Sequence, residues 1–208
     1  MKITHIITSL NSGGAEKVLY NIISRDRRNK HEVICLLYDA FYYKKYENMG
    51  VKVSTLSKGK FGIVKGYTLL LTLLKESQPD IVQTWMFHAN LIGGVAAKQI
   101  GIKKIFWAVR GPNNRELYSF KTKVVIFLSG LLSKFIPTVS VYNSAYSLAG
   151  FKKIFFGKKR IIYNGFVNPQ VKNFFEKDKE EEDVFQLGMI ARFDAFKDHK
   201  NFIMALSI

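Results

Sequence analysis

Apolar residues along the chain follow two rhythms. Short runs that are apolar nearly throughout recur at 2–10 (KITHIITSL), 31–38 (HEVICLLY), 51–57 (VKVSTLS), 80–85 (DIVQTW), 103–109 (KKIFWAV), 138–144 (TVSVYNS) and 160–165 (RIIYNG). Each is short enough for a strand, and strands without polar alternation belong to a sheet covered on both faces. The segments between several of them carry a helical period. Val18, Leu19, Ile22 and Ile23 share one face of a helix after the first strand. Ile63, Val64, Tyr67, Leu70, Leu71 and Leu74 do so in the segment that ends before Pro79. A small-residue helix is expected over 89–101, stopped by Gly101, and another over 121–137, closed by Pro137. Strands that alternate with helices predict an α/β fold with a Rossmann-like, doubly wound, mostly parallel sheet.

The last residues open another such unit. Leu187 to Ala191 has the apolar look of a buried strand, Arg192 to Lys200 reads as a polar turn, and Asn201 to Ile208 starts a helix. Before it, 176–183 (EKDKEEED) holds six acids and two lysines, which reads as a linker or an exposed helix end. The expected organisation is a Rossmann-like domain over 1–175, the acidic linker over 176–183, and the first strand and helix of an incomplete second domain over 184–208.

Charge changes the picture more than composition does. The 208 residues carry a net charge of +16, with 48% apolar residues. Residues 1–175 hold 27 Lys and Arg against 8 Asp and Glu, and Glu116 is the only acid between Ile81 and Phe175. Such a field attracts anions, whether headgroups or phosphorylated substrates. Nucleic acid is disfavoured, because no zinc module, basic heptad region or RNP-like strand is present. The basic and apolar mixtures KTKVVIFLSGLLSK and FKKIFFGKKR suggest docking to an anionic membrane surface. A core helix beside a solvated basic face fits the same residues. Cys35 is the only cysteine, so a disulfide framework and a cysteine metal site are excluded, which suits a reducing cytosol. The N-terminus lacks the apolar stretch and cleavage site of a signal peptide, and VVIFLSGLLSKFI is too short to span a bilayer.

Candidate chemistry lies where strands end. Gly13 and Gly14, between the first strand and first helix, let backbone N–H groups approach a phosphate at a helix N-terminus. The pair is neither GxGxxG nor a P-loop, and it also suits a tight structural turn. His88 falls just past the fourth strand, and Arg110 just past the fifth, on the edge where open α/β sheets bind ligands. Arg110 and Arg115, in a Gly/Pro/Asn loop, are able to fork onto a phosphate or carboxylate. Asn143 and Asn164 end two further strands, as turn residues or as partners of a polar ligand. No HExxH, metal-spaced carboxylate cluster or Ser-His-Asp order is present.

These marks together resemble the family 4 retaining glycosyltransferases of the GT-B fold. In order along nearly the whole chain they are SGGAEKVL, PDIVQTWMFHANLIGGVAA, VYNSAYSLAGF, KKRIIYNGFV and LGMIARFDAFKDHKNFIMAL. The resemblance implies two Rossmann-like domains, the first holding the acceptor and the second the nucleotide-sugar. It implies that Arg192 and Lys197, with the turn at Gly13 and Gly14, contact the donor diphosphate. His88, Arg110, Asn143 and Asn164 would line the acceptor cleft. No metal or other cofactor is implied. Many family members carry a histidine where this chain has Arg110, so Arg110 is given binding alone. The family's E-x7-E pair would lie beyond Ile208. The expectation is therefore a glycosyltransferase of surface polysaccharide synthesis that uses a nucleotide-sugar and a lipid-linked glycan. It would be cytoplasmic and peripheral on the inner face of the plasma membrane, and inactive as this chain alone. The alternatives are a non-catalytic module that binds an anionic surface or partner, and a generic Rossmann nucleotide-binding enzyme.

Overall fold

The computed structural model describes residues 1–38, 41–56, 63–111, 115–165, 187–193 and 195–206. They fall into two compact units, Met1–Asn164 and Gly165–Ile208. Position 175 and the acidic run 176–183, where the sequence places its boundaries, lie outside the described residues.

The first unit is built on seven strands: β1 (Lys2–Ile7), β2 (Lys30–Cys35), β3 (Lys52–Thr55), β4 (Ile81–Trp85), β5 (Ile105–Val109), β6 (Val139–Tyr142) and β7 (Lys159–Ile161). Their order is β3-β2-β1-β4-β5-β6-β7, and every neighbouring pair is parallel. The chain runs outward from β1 to β3, then returns to lay β4 beside β1 and runs outward the other way. This is the α/β doubly wound arrangement expected from the alternating pattern, and its switch point lies between β1 and β4.

Successive residues of each central strand enter opposite cores, as the two-residue period of a strand requires. Ile6, Ile34 and Trp107 belong to one buried cluster, and Ile7, Val33, Cys35 and Ala108 to the other. The helices α1 (Gly14–Arg25) and α2 (Tyr43–Glu47) cover the second cluster with Leu19, Ile23 and Tyr46. The first is covered by α3 (Ile63–Ser77), α4 (Met86–Gln99), α5 (Phe120–Leu132) and α6 (Ala145–Phe151), through Leu70, Leu74, Ala96, Ile126 and Phe151. Both faces are covered, which is why the strands read as unbroken apolar runs.

Three expectations change. On α1 the buried positions are Glu16, Leu19 and Ile23, while Ile22 is exposed. The packed stripe therefore runs at i, i+3 and i+7, and Ile22 sits one residue, about 100°, off it. On α3, Leu70 and Leu74 are fully buried but Val64, in the first turn, is exposed. In the second unit, Leu187–Ala191 is not a strand: residues 187–193 have no regular structure, and Leu187 and Ile190 are exposed. An apolar run becomes a strand only beside a neighbour that takes its hydrogen bonds. The helix expected next is present as α7 (His199–Ala205), started by Asp198, whose side chain accepts from Asn201 N at 3.4 Å.

Candidate functional site at the carboxyl edge of the sheet

The register sets the strand ends side by side. Ile7 pairs with Cys35 and with Trp85, Trp85 with Ala108, Val109 with Tyr142, and Tyr142 with Ile161. The residues that leave the carboxyl ends of the strands therefore share one edge. Gly13 and Gly14 come after β1, His88 after β4, Arg110 after β5, Asn143 after β6 and Asn164 after β7. Gly14, His88 and Arg110 flank or adjoin the switch point, where open α/β sheets take ligands.

Arg110 is the most constrained of these groups. Its Nη1 donates to Asn164 Oδ1 at 2.6 Å, and its guanidinium carbon lies 4.9 Å from the centroid of the Trp85 ring. The fork is thus stacked on an indole beneath and pinned from β7 at the side, a cation–π arrangement. Burial pushes its pKa down to about 10, so it remains charged at neutral pH. A guanidinium held this way offers anions a preorganised cation. The chain leaves it closely packed: a Cβ on Gly111 would meet Tyr118 Oη at 2.5 Å and the Phe87 ring at 3.0 Å.

His88 lies in the first turn of α4, which begins directly after β4 and not three residues later. The turn is made by Met86 in the left-handed region, φ 68°. This is an uncommon conformation for a residue with a side chain, and such strain gathers at functional sites. Half-burial lowers the pKa of His88, so it favours the neutral imidazole. Behind it, Asn90 is fully buried; it accepts from Thr84 Oγ1 at 2.7 Å and donates to Ala108 O at 3.3 Å, which clamps α4 onto β4 and β5.

The two glycines differ. A Cβ on Gly13 would collide with the carboxylate of Glu16, whereas a Cβ on Gly14 would meet nothing within 4 Å. Gly13 makes room for a buried carboxylate in the first turn of α1, where negative charge is favourable. Only Gly14 faces open space. Asn143 is half-buried directly before Ser144, whose Oγ caps α6 by accepting from Ser147 N at 3.0 Å.

The remaining candidates belong to the second unit. Arg192 and Lys197 are both exposed, Arg192 before a short 3-10 turn, Ala195–Lys197, and Lys197 as its last residue. His199 Nε2 donates to Arg192 O at 2.9 Å, which draws that loop together. Pro112–Asn114 and the side chain of Arg115 lie outside the described residues.

Sequence reasoning missed what lies under Arg110. Trp85 Nε1 donates to His5 Nδ1 at 3.3 Å, and His5 Nε2 is 3.0 Å from His31 Nδ1. His31 Nε2 then lies 3.2 Å from Asp26 Oδ2, near but out of line for a hydrogen bond. A histidine inside an apolar strand, at position 5, was the one available signal.

No protein-family model matches the chain. The chain is 33% identical over 156 residues, 70% of its length, to a Campylobacter jejuni enzyme, and the match covers 41% of that protein. That enzyme is the GalNAc-alpha-(1->4)-GalNAc-alpha-(1->3)-diNAcBac-PP-undecaprenol alpha-1,4-N-acetyl-D-galactosaminyltransferase. Among solved structures, Anabaena HepE in complex with UDP superposes with a TM-score of 0.67 at 20% identity, covering 80% of this chain and 44% of that one. MurG of Acinetobacter baumannii gives 0.54 at 11% identity, covering 81% and 46%. The sucrose-phosphate synthase of Thermosynechococcus elongatus gives 0.58 at 8% identity, covering 79% and 48%. The matched part thus spans less than half the length of each of these relatives. The chain has the Rossmann-like α/β fold of GT-B glycosyltransferase domains.

Proposed function

We propose that this chain is the acceptor-side part of a family 4 retaining glycosyltransferase. The whole enzyme would move a sugar from a nucleotide-sugar, UDP-activated by analogy with HepE, to a lipid-linked glycan in surface polysaccharide synthesis, and the 208-residue chain alone would be inactive. The observation that carries this reading is Arg110, a desolvated cation stacked on Trp85 and pinned by Asn164 at the ligand edge of the sheet. The Campylobacter relative, whose named acceptor is an undecaprenyl diphosphate glycan, supports the acceptor class. In this reading Arg110, with Asn143 and His88 beside it, binds the acceptor's anionic or hydroxyl groups. Gly14 at the start of α1 offers a backbone N–H to the charge that develops on the departing diphosphate. On the resemblance to the family, Arg192 and Lys197 of the second unit are given diphosphate contact as well, and no metal is called for. The acceptor hydroxyl attacks from the face the diphosphate leaves, and the protein's main work is positioning. The reaction takes place on the cytoplasmic side of the plasma membrane, with the protein held at its surface.

Binding of a polyprenyl diphosphate-linked oligosaccharide in detergent, followed by transfer from a panel of UDP-sugars, tests the reading. Arg110→Ala is expected to weaken acceptor binding about tenfold or more, since loss of a hydrogen-bonded, partly buried charge costs about 1.5–3 kcal/mol. The variant should still unfold in one cooperative step, at a somewhat lower temperature because the Asn164 bond and the Trp85 contact are lost. Acceptor binding that is indifferent to Arg110 would refute the assignment. For the 208-residue chain alone, acceptor binding without transfer is the expected outcome; binding to an anionic surface or a partner chain with no acceptor binding would favour the non-catalytic module.

A further inference from the structure

The amino edge of the sheet, opposite Arg110, holds a cavity of its own. Lys2, Lys30 and Lys52 begin β1, β2 and β3, and the parallel register gathers them: Lys2 pairs with Lys30, and Lys52 with Glu32. The end of α1 and the turn before β3 close the sides of a space of about 920 Å³, within the range of ligand pockets. Four cations line it, Lys2, Arg27, Lys30 and Lys52, against two carboxylates, Asp26 and Glu32. One pair is already matched: Lys2 Nζ lies 2.9 Å from Glu32 Oε1, and Ser77 Oγ donates to Glu32 Oε2 at 2.6 Å. Arg27, Lys30 and Lys52 are exposed and form no ion pair among the described residues. The rim therefore carries a positive surplus that a dianion would balance.

The inner wall has a different chemistry. Only 4% of the His31 side chain is exposed, and its Nε2 has no hydrogen-bond partner among the described residues. Trp85 Nε1 donates to His5 Nδ1, so His5 donates from Nε2 to His31 Nδ1, and the His31 proton rests on Nε2. The Asp26 carboxylate, 3.2 Å away, is out of line for that proton. A buried donor left without an acceptor calls for an explanation, and a ligand oxygen supplies one. A bare anion does not suit this end: Asp26 would repel it, and α1 ends here with the negative pole of its dipole. A hydroxyl does suit it, because its oxygen accepts from His31 Nε2 while its proton goes to Asp26. Asp26 Oδ2 already accepts from Asn29 Nδ2 at 2.7 Å, and a carboxylate oxygen has room for a second donor.

We propose that this cavity binds a phosphorylated polyol, with a hydroxyl between His31 and Asp26 and the phosphate among Arg27, Lys30 and Lys52. The two ends select the class together. Lysines and an arginine alone take any anion, and a donor beside a carboxylate takes any neutral hydroxyl; a ligand with both groups fills the whole site. The site lies at the amino ends of the strands, away from the edge where open α/β sheets bind ligands, and it stands whether or not the chain takes part in sugar transfer.

Titration calorimetry of the 208-residue chain with glycerol 3-phosphate tests the proposal. Propyl phosphate, which lacks the hydroxyls, and glycerol, which lacks the phosphate, should each bind about tenfold more weakly or worse. Arg27→Gln, Lys30→Gln and Lys52→Gln together should lower glycerol 3-phosphate binding about tenfold or more. The melting curve of that triple variant should stay near the wild type, because all three side chains are exposed and unpaired. No binding of glycerol 3-phosphate, equal binding of propyl phosphate, or wild-type binding by the triple variant would overturn the proposal. So would binding that Arg110→Ala abolishes, since the ligand would then sit at the carboxyl edge.

Discussion

His5 is buried in the middle of β1, and its neighbours dictate its protonation. The Trp85 indole is a donor only, so His5 Nδ1 must accept and the ring proton sits on Nε2. That proton is donated to His31 Nδ1, which leaves the His31 proton on Nε2, facing Asp26. A second proton on His5 would meet another donor. Desolvation first, then His31, lower the pKa of His5 from 6.5 to about 3. Unfolded, the same ring takes up a proton near pH 6.5. Between about pH 6.5 and 3 the unfolded chain therefore binds the extra proton, and the folded chain does not. This stability is complete above about pH 6.5 and is lost as the pH falls. The loss is expected to reach about 2 kcal/mol between pH 6.5 and 5 and on the order of 5 kcal/mol by pH 3. Asp26 and Glu32, both lowered, act further down, below their ordinary ranges of 3.8 and 4.5. His88 adds a smaller contribution of the same sign from its half-exposed site. Denaturant titrations at pH 7.5 and 5 measure the slope. His5→Gln, which still offers an acceptor to Trp85 and a donor to His31, should flatten most of it; a slope unchanged by that substitution would clear His5.

At the scale of the element, α4 is packed against the sheet through the absence of side chains. A Cβ on Gly94 would enter the buried indole of Trp107, and one on Gly93 would meet Ile6 Cδ1 at 2.9 Å and Thr84 Cγ2 at 3.1 Å. Gly94→Ala is therefore expected to cost about 1–3 kcal/mol by overpacking. Gly66→Ala on α3 should instead stabilise by about 0.5–1 kcal/mol, because nothing lies within 4 Å of its Cβ and alanine favours the helix. Thermal melts of the two variants should shift in opposite directions; a shift of the same sign would contradict the close approach of α4. The sequence made α4 recognisable as a small-residue helix but not how closely it approaches Trp107, which depends on which strand lies beneath. All seven strands were legible, because a two-faced sheet writes continuous apolar runs into its strands. The helices α2 and α6 were not: YKKYE and AYSLAGF are short and follow turns, with too few apolar positions to mark a helical face. The apolar look of 187–191 misled, because a run records hydrophobicity and not the neighbour a strand needs. At the site, strand-end positions such as Arg110 and Asn164 could be read from where runs stop. The contacts from Arg110 down to Trp85, His5 and His31 could not, since they join strands that become neighbours only through the order β2-β1-β4.

For the whole molecule, the distribution of buried residues makes a test. Every buried core residue among those described lies between Ile6 and Phe155. The helix α7 buries none, and Leu187, Ile190, Phe193, Ile203, Met204 and Leu206 are all exposed. Burial of a large apolar side chain is worth about 1.5–3 kcal/mol, so side chains left in water add little to cooperative stability. All seven strands, both clusters and the Arg110–Asn164 bond are complete by residue 164. A fragment of residues 1–164 should therefore unfold in one cooperative step, with a melting temperature within about 4 °C of the 208-residue chain, the shift that about 1 kcal/mol produces at this size. In hydrogen exchange on the 208-residue chain, amides of 187–193 should exchange at near-unprotected rates, while those of β1, β4 and β5 exchange only by global unfolding. A fragment that fails to fold, or melts far lower, would mean that the second unit supplies core to the first.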